Sequence, residues 1–191
     1  MSTAGSSPIE NSSSSEMMGT AVFNGDILVG ELTAVETLCH MLVTNELESC
    51  NITLPHAEGQ NQNTDLYLYN NSNPKIKVNI VNGTPFIKIN FHLEARILSI
   101  NSDSKYDTEQ KLSEISSVAS QYIKNIMTEY LYKTSVQLKS DIDGFGTHAL
   151  PLFLTENDFE EYNWLDNYKD AVFDVSVDTR VKSAFLLGGD E

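Results

Sequence analysis

The sequence predicts an α+β domain: an antiparallel β-sheet with one long amphipathic helix and shorter helices packed on one face. Three patterns carry that reading. Apolar residues alternate on both sides of Asn82-Gly83, a helix-period stripe runs from Leu112 to Leu138, and the chain alternates again from Phe173 to Val181. At 191 residues the chain fits one domain and a tail. Residues 1–18, with Ser12 to Ser15 in a row, read as a flexible Ser-rich linker, and residues 19–191 as the domain. A fold of about 170 residues buries roughly 70% of the surface its unfolded chain exposes, enough for a core of its own.

The elements follow in order. Ala21-Val22-Phe23 and Ile27-Leu28-Val29 flank Asn24-Gly25-Asp26, which predicts a small hairpin. Thr33 and Glu36 have capping-box spacing: the Thr hydroxyl takes an orphan amide of the first turn, and the Glu reaches back to the cap amide. Val35, Leu38, Cys39 and Leu42 then fall at i, i+3, i+4 and i+7, one stripe of a helix ending near Asn45. Asn51 to Leu54 reads as a strand stopped by Pro55, and Ala57 to Thr64 as a polar loop.

Around Asn82-Gly83 the signal is strongest. Ile76, Val78 and Ile80 alternate with Lys75, Lys77 and Asn79 before it. Ile87, Ile89, Phe91, Leu93, Ala95 and Ile97 alternate with Lys88, Asn90, His92, Glu94 and Arg96 after it. A period of two sustained that long puts one face on a core and the other in water, and Asn-Gly is the turn of an antiparallel hairpin.

Asp107 and Gln110 have the spacing of a second cap, opening a helix to about Lys139. Its stripe is Leu112, Ile115, Ala119, Ile123, Ile126, Tyr130 and Thr134 or Leu138. Acids at its start (Asp107, Glu109) and lysines at its end (Lys133, Lys139) suit the macrodipole. A rod of roughly 50 Å exceeds a compact domain's width, so one end is expected to overhang or bend. The glycines of Asp141 to Gly146 are expected to end it and let Phe145 fold back onto the sheet. A short helical patch, a helix near Asp158 to Lys169 carrying Phe159, Tyr162, Trp164 and Leu165, and a last strand from Phe173 to Val181 complete the order.

Twelve basic against 27 acidic side chains give a formal net charge of −15. Such a field repels nucleic-acid phosphates and anionic headgroups, so neither is expected as a partner. Cys39 and Cys50 are too few for a disulfide framework and lack CxxC spacing; they read as two buried small side chains in preference to a bridge. No apolar run approaches the ~20 residues of a membrane span, and the N-terminus has no signal-peptide pattern, so any anchor is expected outside these residues.

Catalytic patterns are hard to find. His40, His56, His92 and His148 make no HxxxH or HExxH pairing, there is no GxSxG, and neither cysteine has a His or acid at a recognisable offset. Asp141-Ile142-Asp143-Gly144 resembles the start of a calcium loop, but the twelfth position holds Leu152 where a bidentate Glu is needed. Gly144-Phe145-Gly146 is a lone GxG after a helix, where a phosphate cradle follows a strand. The reading is no catalytic set, no cofactor and no metal.

Gly19-Thr20-Ala21-Val22-Phe23, Leu28-Val29-Gly30-Glu31-Leu32-Thr33 and Glu36-Thr37 resemble the opening of one known domain, the C-terminal domain of the Ger(x)C (GerAC-like) spore germination lipoproteins. The run Lys139-Ser140-Asp141-Ile142-Asp143-Gly144-Phe145-Gly146 is close to that family's Lys-Ser-Asp-x-x-Gly-Phe-Gly and is the most specific match. The likeness covers roughly residues 19–187. It implies a non-catalytic C subunit of a nutrient-germinant receptor at the inner spore membrane. The family's signal peptide, lipid anchor and first two domains would lie outside these residues, and its partners would be two integral membrane subunits. Docking to those subunits is the leading expectation; a germinant-binding module is the alternative, and a cell-wall hydrolase the third. Two stretches are candidate partner surfaces, although either can serve structure alone. One is the helix-end turn with Lys139, Asp141, Asp143, Gly144, Phe145 and Gly146. The other is the wet strand face at Lys88, His92 and Arg96.

Overall fold

The computed structural model describes residues 19–24, 26–55, 63–100 and 108–182. The Ser-rich stretch 1–18, most of the polar loop after Pro55 and the expected cap Asp107 lie outside them. Strands β1 (Thr20–Asn24) and β2 (Ile27–Leu32) form the expected antiparallel hairpin, a two-stranded sheet of its own. Helix α1 (Ala34–Val43) starts on the predicted capping box, with both the Thr33 and the Glu36 side-chain bonds made. Its inward face is Thr37, Cys39, Leu42 and Val43, while Val35, expected in the stripe, is exposed.

The main sheet has five strands: β3 (Ser49–Leu54), β4 (Thr64–Asn70), β5 (Lys75–Val81), β6 (Thr84–Ile100) and β7 (Val172–Lys182). Asn82 and Gly83 take positive φ, 50° and 84°, the twist that joins β5 to β6 by a tight turn. One edge of β6 pairs antiparallel with β5 in its first half and with β4 in its second, and β3 lies beyond β4. The other edge pairs with β7, and there the strands run parallel. The sheet is therefore mixed, because the chain returns to it through the whole helical segment. Ile87, Ile89, Phe91, Leu93 and Ala95 of β6 are buried as the alternation requires, and Val175 and Val181 of β7 join them.

Helix α2 (Glu109–Tyr132) is about 36 Å long and presents Ile115, Ala119, Ile123, Met127, Tyr130 and Leu131 to the core. Thr108 is its N-cap, without a side-chain bond. The long rod is not α-helical to its end: Lys133–Leu138 widens into a π-helical turn. There Thr134 Oγ1 donates to the Leu131 carbonyl at 2.8 Å, and Thr134 meets the Tyr168 hydroxyl at 2.9 Å. Lys139, at φ 49°, makes the left-handed stop that was expected from the glycines. Beyond it come α3 (Phe145–Ala149), a 3₁₀ turn at Leu150–Leu152, α4 (Glu156–Tyr162) and α5 (Trp164–Tyr168). The single helix expected near Asp158 to Lys169 is thus two, broken at Asn163 with φ 51°.

A strand edge left open is a template for unwanted pairing. Helix α2 satisfies part of the outer edge of β7 with two serines. The amide of Thr179 donates to Ser120 Oγ at 2.9 Å and that of Val181 to Ser116 Oγ at 3.0 Å. The same hydroxyls donate to helix carbonyls of Ser116 and Leu112, at 2.8 and 2.7 Å. Replacing both serines by alanine leaves two strand amides unpaired and is expected to cost about 1 kcal/mol for each, read from urea unfolding. Faster hydrogen exchange confined to Thr179 and Val181 would locate the loss; unchanged exchange would show that the serines do not satisfy this edge.

Candidate partner interface

The turn after the π-helical segment is built on two aspartates. Asp141 Oδ1 accepts from the Phe145 amide at 2.9 Å, and Oδ2 from the Gly146 amide at 2.7 Å and the Trp164 indole at 2.8 Å. One carboxylate thereby satisfies the first amides of α3, where its charge is favoured, and ties that helix to α5. Gly144, at φ 74°, makes the left-handed step before α3. Phe145 is fully buried and packs on Tyr168 and Phe173, so it does fold back onto the sheet.

Asp143 turns the other way. Its side chain is fully enclosed; Oδ1 lies 2.8 Å from His40 Nδ1 and accepts from the Tyr130 hydroxyl at 2.7 Å. The hydrogen bond to Asp143 raises the pKa of His40 above its usual value, and burial raises that of Asp143. Three elements, α1, α2 and this turn, are joined by the cluster. Burial pushes the thiol of Cys39 up to about 12 and that of Cys50 to about 11, and both cysteines are free. Neither is a ready nucleophile near neutral pH.

Between α3 and the α4–α5 pair lies an open groove of about 480 Å³. Phe159, Trp164, Gly144 and Gly146 contribute to it, with Leu150 and Leu165 half-exposed beside them. Trp164 also stacks near Phe159 and Tyr162, part of an aromatic layer that includes Phe153. Gly146 lets the two helices approach: a Cβ there would lie 3.1 Å from the Trp164 ring and 3.3 Å from Asp141 Oδ2. Gly146→Ala should therefore cost about 1–3 kcal/mol by overpacking and move the Trp164 emission. Full stability with unshifted emission would mean that the ring yields freely.

The structure thus divides the predicted turn. Asp143 and Phe145 face inward, Asp141, Gly144 and Gly146 line the groove, and Lys139 is exposed at the helix stop. Lys88, His92 and Arg96 do share the wet face of β6. Lys88 pairs with Asp174 across to β7 at 2.7 Å, His92 Nδ1 is 3.5 Å from Asp178, and Arg96 lies over the Tyr69 ring at 5.6 Å. They form a cross-strand ladder, with Glu94 and Lys182 adding another pair. No spacing in the sequence outlines the groove itself; its signal there is the cluster of aromatics from Phe153 to Tyr168 that follows the Gly-Phe-Gly turn. Among the described residues no three His, Cys, Asp or Glu side chains gather as a metal site, and no helix is long and apolar enough to cross a membrane.

Fold and site together define an α+β domain in which Asp141 and Asp143 hold the turn that follows a long helix, beside an open apolar groove. The chain belongs to the family described as spore germination B3/GerAC like, C-terminal, whose model matches residues 18–184. Among solved structures it is similar to the crystal structure of the GerBC protein, with a TM-score of 0.63 and 16% identity over 81% of this chain and 47% of that one. At that identity the likeness is one of fold, and this chain spans about half the length of that protein. Comparison with curated proteins gives no match.

Proposed function

We propose that this chain is the C-terminal domain of the C subunit of a nutrient-germinant receptor, and that it acts without catalysis by docking to the receptor's integral membrane subunits. Family membership supports the setting, a spore germination protein; a lipid anchor outside these residues, holding it at the inner spore membrane, is part of the proposal. The observation that carries the docking reading is the use of Asp141 and Asp143. Five groups from within the fold converge on the two carboxylates, so this pair of acids is committed to holding the turn together. What the domain leaves open is surface: the groove beside that turn, and the charged face of the sheet.

The experiment is direct. The chain is mixed with the detergent-solubilised membrane subunits of its own receptor and followed by surface plasmon resonance, and spores lacking the domain are tested for nutrient germination. Saturable binding together with lost germination is expected. No binding, with germination intact after deletion, would sink the reading.

A second reading has the groove's size in its favour, because about 480 Å³ falls in the range of small-ligand sites. In that case the domain would sense the germinant itself, and amino acids, sugars or nucleosides would raise its melting temperature. The engagement of both Asp141 oxygens leaves the groove few free polar groups to orient a small polar nutrient, which favours the docking reading.

A further inference from the structure

The groove has a chemical character that narrows its partner. Its exposed apolar side chains are large: Leu150 is 43% and Leu165 41% exposed. Leu152, at the end of the 3₁₀ turn, and Leu154 just after it are 49% and 98% exposed. Isolated exposed leucines need no explanation, but two of them lining a groove with Phe159 and Trp164, with two more exposed within four residues of Leu150 in the chain, are of the kind that meets another protein. The helices on its far side are strongly acidic. Residues 156–170 carry Glu156, Asp158, Glu160, Glu161, Asp166 and Asp170 against Lys169 alone, and all six acids are exposed. Asp158 and Asp166 bond to Thr155 and Asn163 and stay on the surface; Glu160 borders the groove directly.

We propose that the groove receives a basic amphipathic segment of a partner protein, a helix whose apolar side chains sit against Leu150, Phe159, Trp164 and Leu165 while flanking Lys or Arg residues face the acids of α4 and α5. This rests on the docking reading and gives it a place and a chemistry. Helix-in-groove recognition uses such a division: apolar anchors give affinity, and complementary charge gives orientation and speed. An anionic surface or an acidic segment would meet like charge here.

Trp164 is the chain's one tryptophan, so its emission reports groove occupancy in the unlabelled protein. The probes are an amphipathic Leu/Lys helical peptide, its Leu/Glu counterpart, and a Lys peptide with glutamine in place of leucine. The Leu/Lys peptide is expected to change Trp164 emission saturably and to bind at least about tenfold more tightly than either control, less so at high salt. Leu150→Ala with Leu165→Ala, both on the surface, and Glu160→Lys with Glu161→Lys should each weaken binding about tenfold. Equal binding of the Leu/Glu peptide, or unchanged binding by both double variants, would overturn the assignment.

The receptor subunits separate this failure from failure of docking. If the native chain binds them and the groove variants bind as well, docking stands elsewhere and the groove assignment falls. If the native chain does not bind them, docking itself fails and the peptide series alone decides the groove. Concentration-dependent self-association abolished by the leucine variants would assign the groove to a second copy of the chain and overturn the proposal.

Discussion

Replacing Asp141 by alanine is expected to destabilise the chain by about 3–5 kcal/mol, among the largest losses available outside the hydrophobic core. Three donors lose their acceptor at once: the amides of Phe145 and Gly146 and the indole of Trp164, the last on a ring only 6% exposed. Each is a bond to a carboxylate oxygen, worth about 1.5–3 kcal/mol, with partial replacement by water at the turn reducing the sum. Asparagine should recover only part of the loss. Asp141 accepts on both oxygens, so either orientation of the amide points its NH₂ at another donor. Urea unfolding gives the stability, and the indole N–H resonance of Trp164 tests the local account. A loss below about 1 kcal/mol, or an indole resonance unmoved in the alanine variant, would show that this carboxylate does not organise the turn.

The elements that the sequence made legible are those whose signal is local. The β5–β6 hairpin needs only alternation and an Asn-Gly pair, and α1 needs only Thr33 and Glu36. Strand β4 was not legible, although Leu66 and Leu68 point inward, because Tyr67 and Tyr69 on the other side blur the contrast over seven residues. The parallel pairing of β7 is invisible for a different reason. Period-two alternation says that a strand has two faces and says nothing about which neighbour it meets. Likewise a 3.6-residue stripe cannot register the widened turn at Lys133–Leu138, and nothing marks Lys139 for a left-handed stop that glycine would make more easily.

The candidate site was legible as a stretch and illegible as a geometry. The Lys139–Gly146 run stands out in the sequence, but spacing alone presents its acids as features open to a partner. Asp141 answers to Trp164, 23 residues on, and Asp143 to His40, 103 residues back; no spacing rule links residues brought together by the tertiary fold. The groove has the same origin. It exists because Gly146 allows α3 to approach Trp164, and that closeness is a property of two helices together.

His40→Ala is expected to cost more than Asp143→Ala, although the two residues form one pair. Asp143 is fully enclosed, its Oδ2 has no hydrogen-bond partner among the described residues, and His40 is the basic side chain bonded to its Oδ1. Taking His40 away strands that acid at a cost of about 3 kcal/mol. Taking Asp143 away leaves two groups able to satisfy each other. Neutral His40 has Nδ1 3.2 Å from the Tyr130 hydroxyl and can accept a hydrogen bond from it, holding the loss to about 1–2 kcal/mol. Adding Asp143→Asn to His40→Ala should then restore part of the stability.

The pair also sets a pH dependence. The bond to Asp143 raises His40 above its usual 6.5, and burial raises Asp143 above 3.8, so the folded chain holds these protons more tightly than the unfolded chain. For His40 the stabilisation is complete below about pH 6.5 and drains as pH rises through the raised folded value. Urea midpoints of the native chain should therefore fall as pH climbs beyond that point, and the double variant, which has no titrating pair, should lose that slope. Equal losses in the two single alanine variants would refute the exchange of partners at Tyr130. An undiminished slope in the double variant would place the titration elsewhere in the molecule.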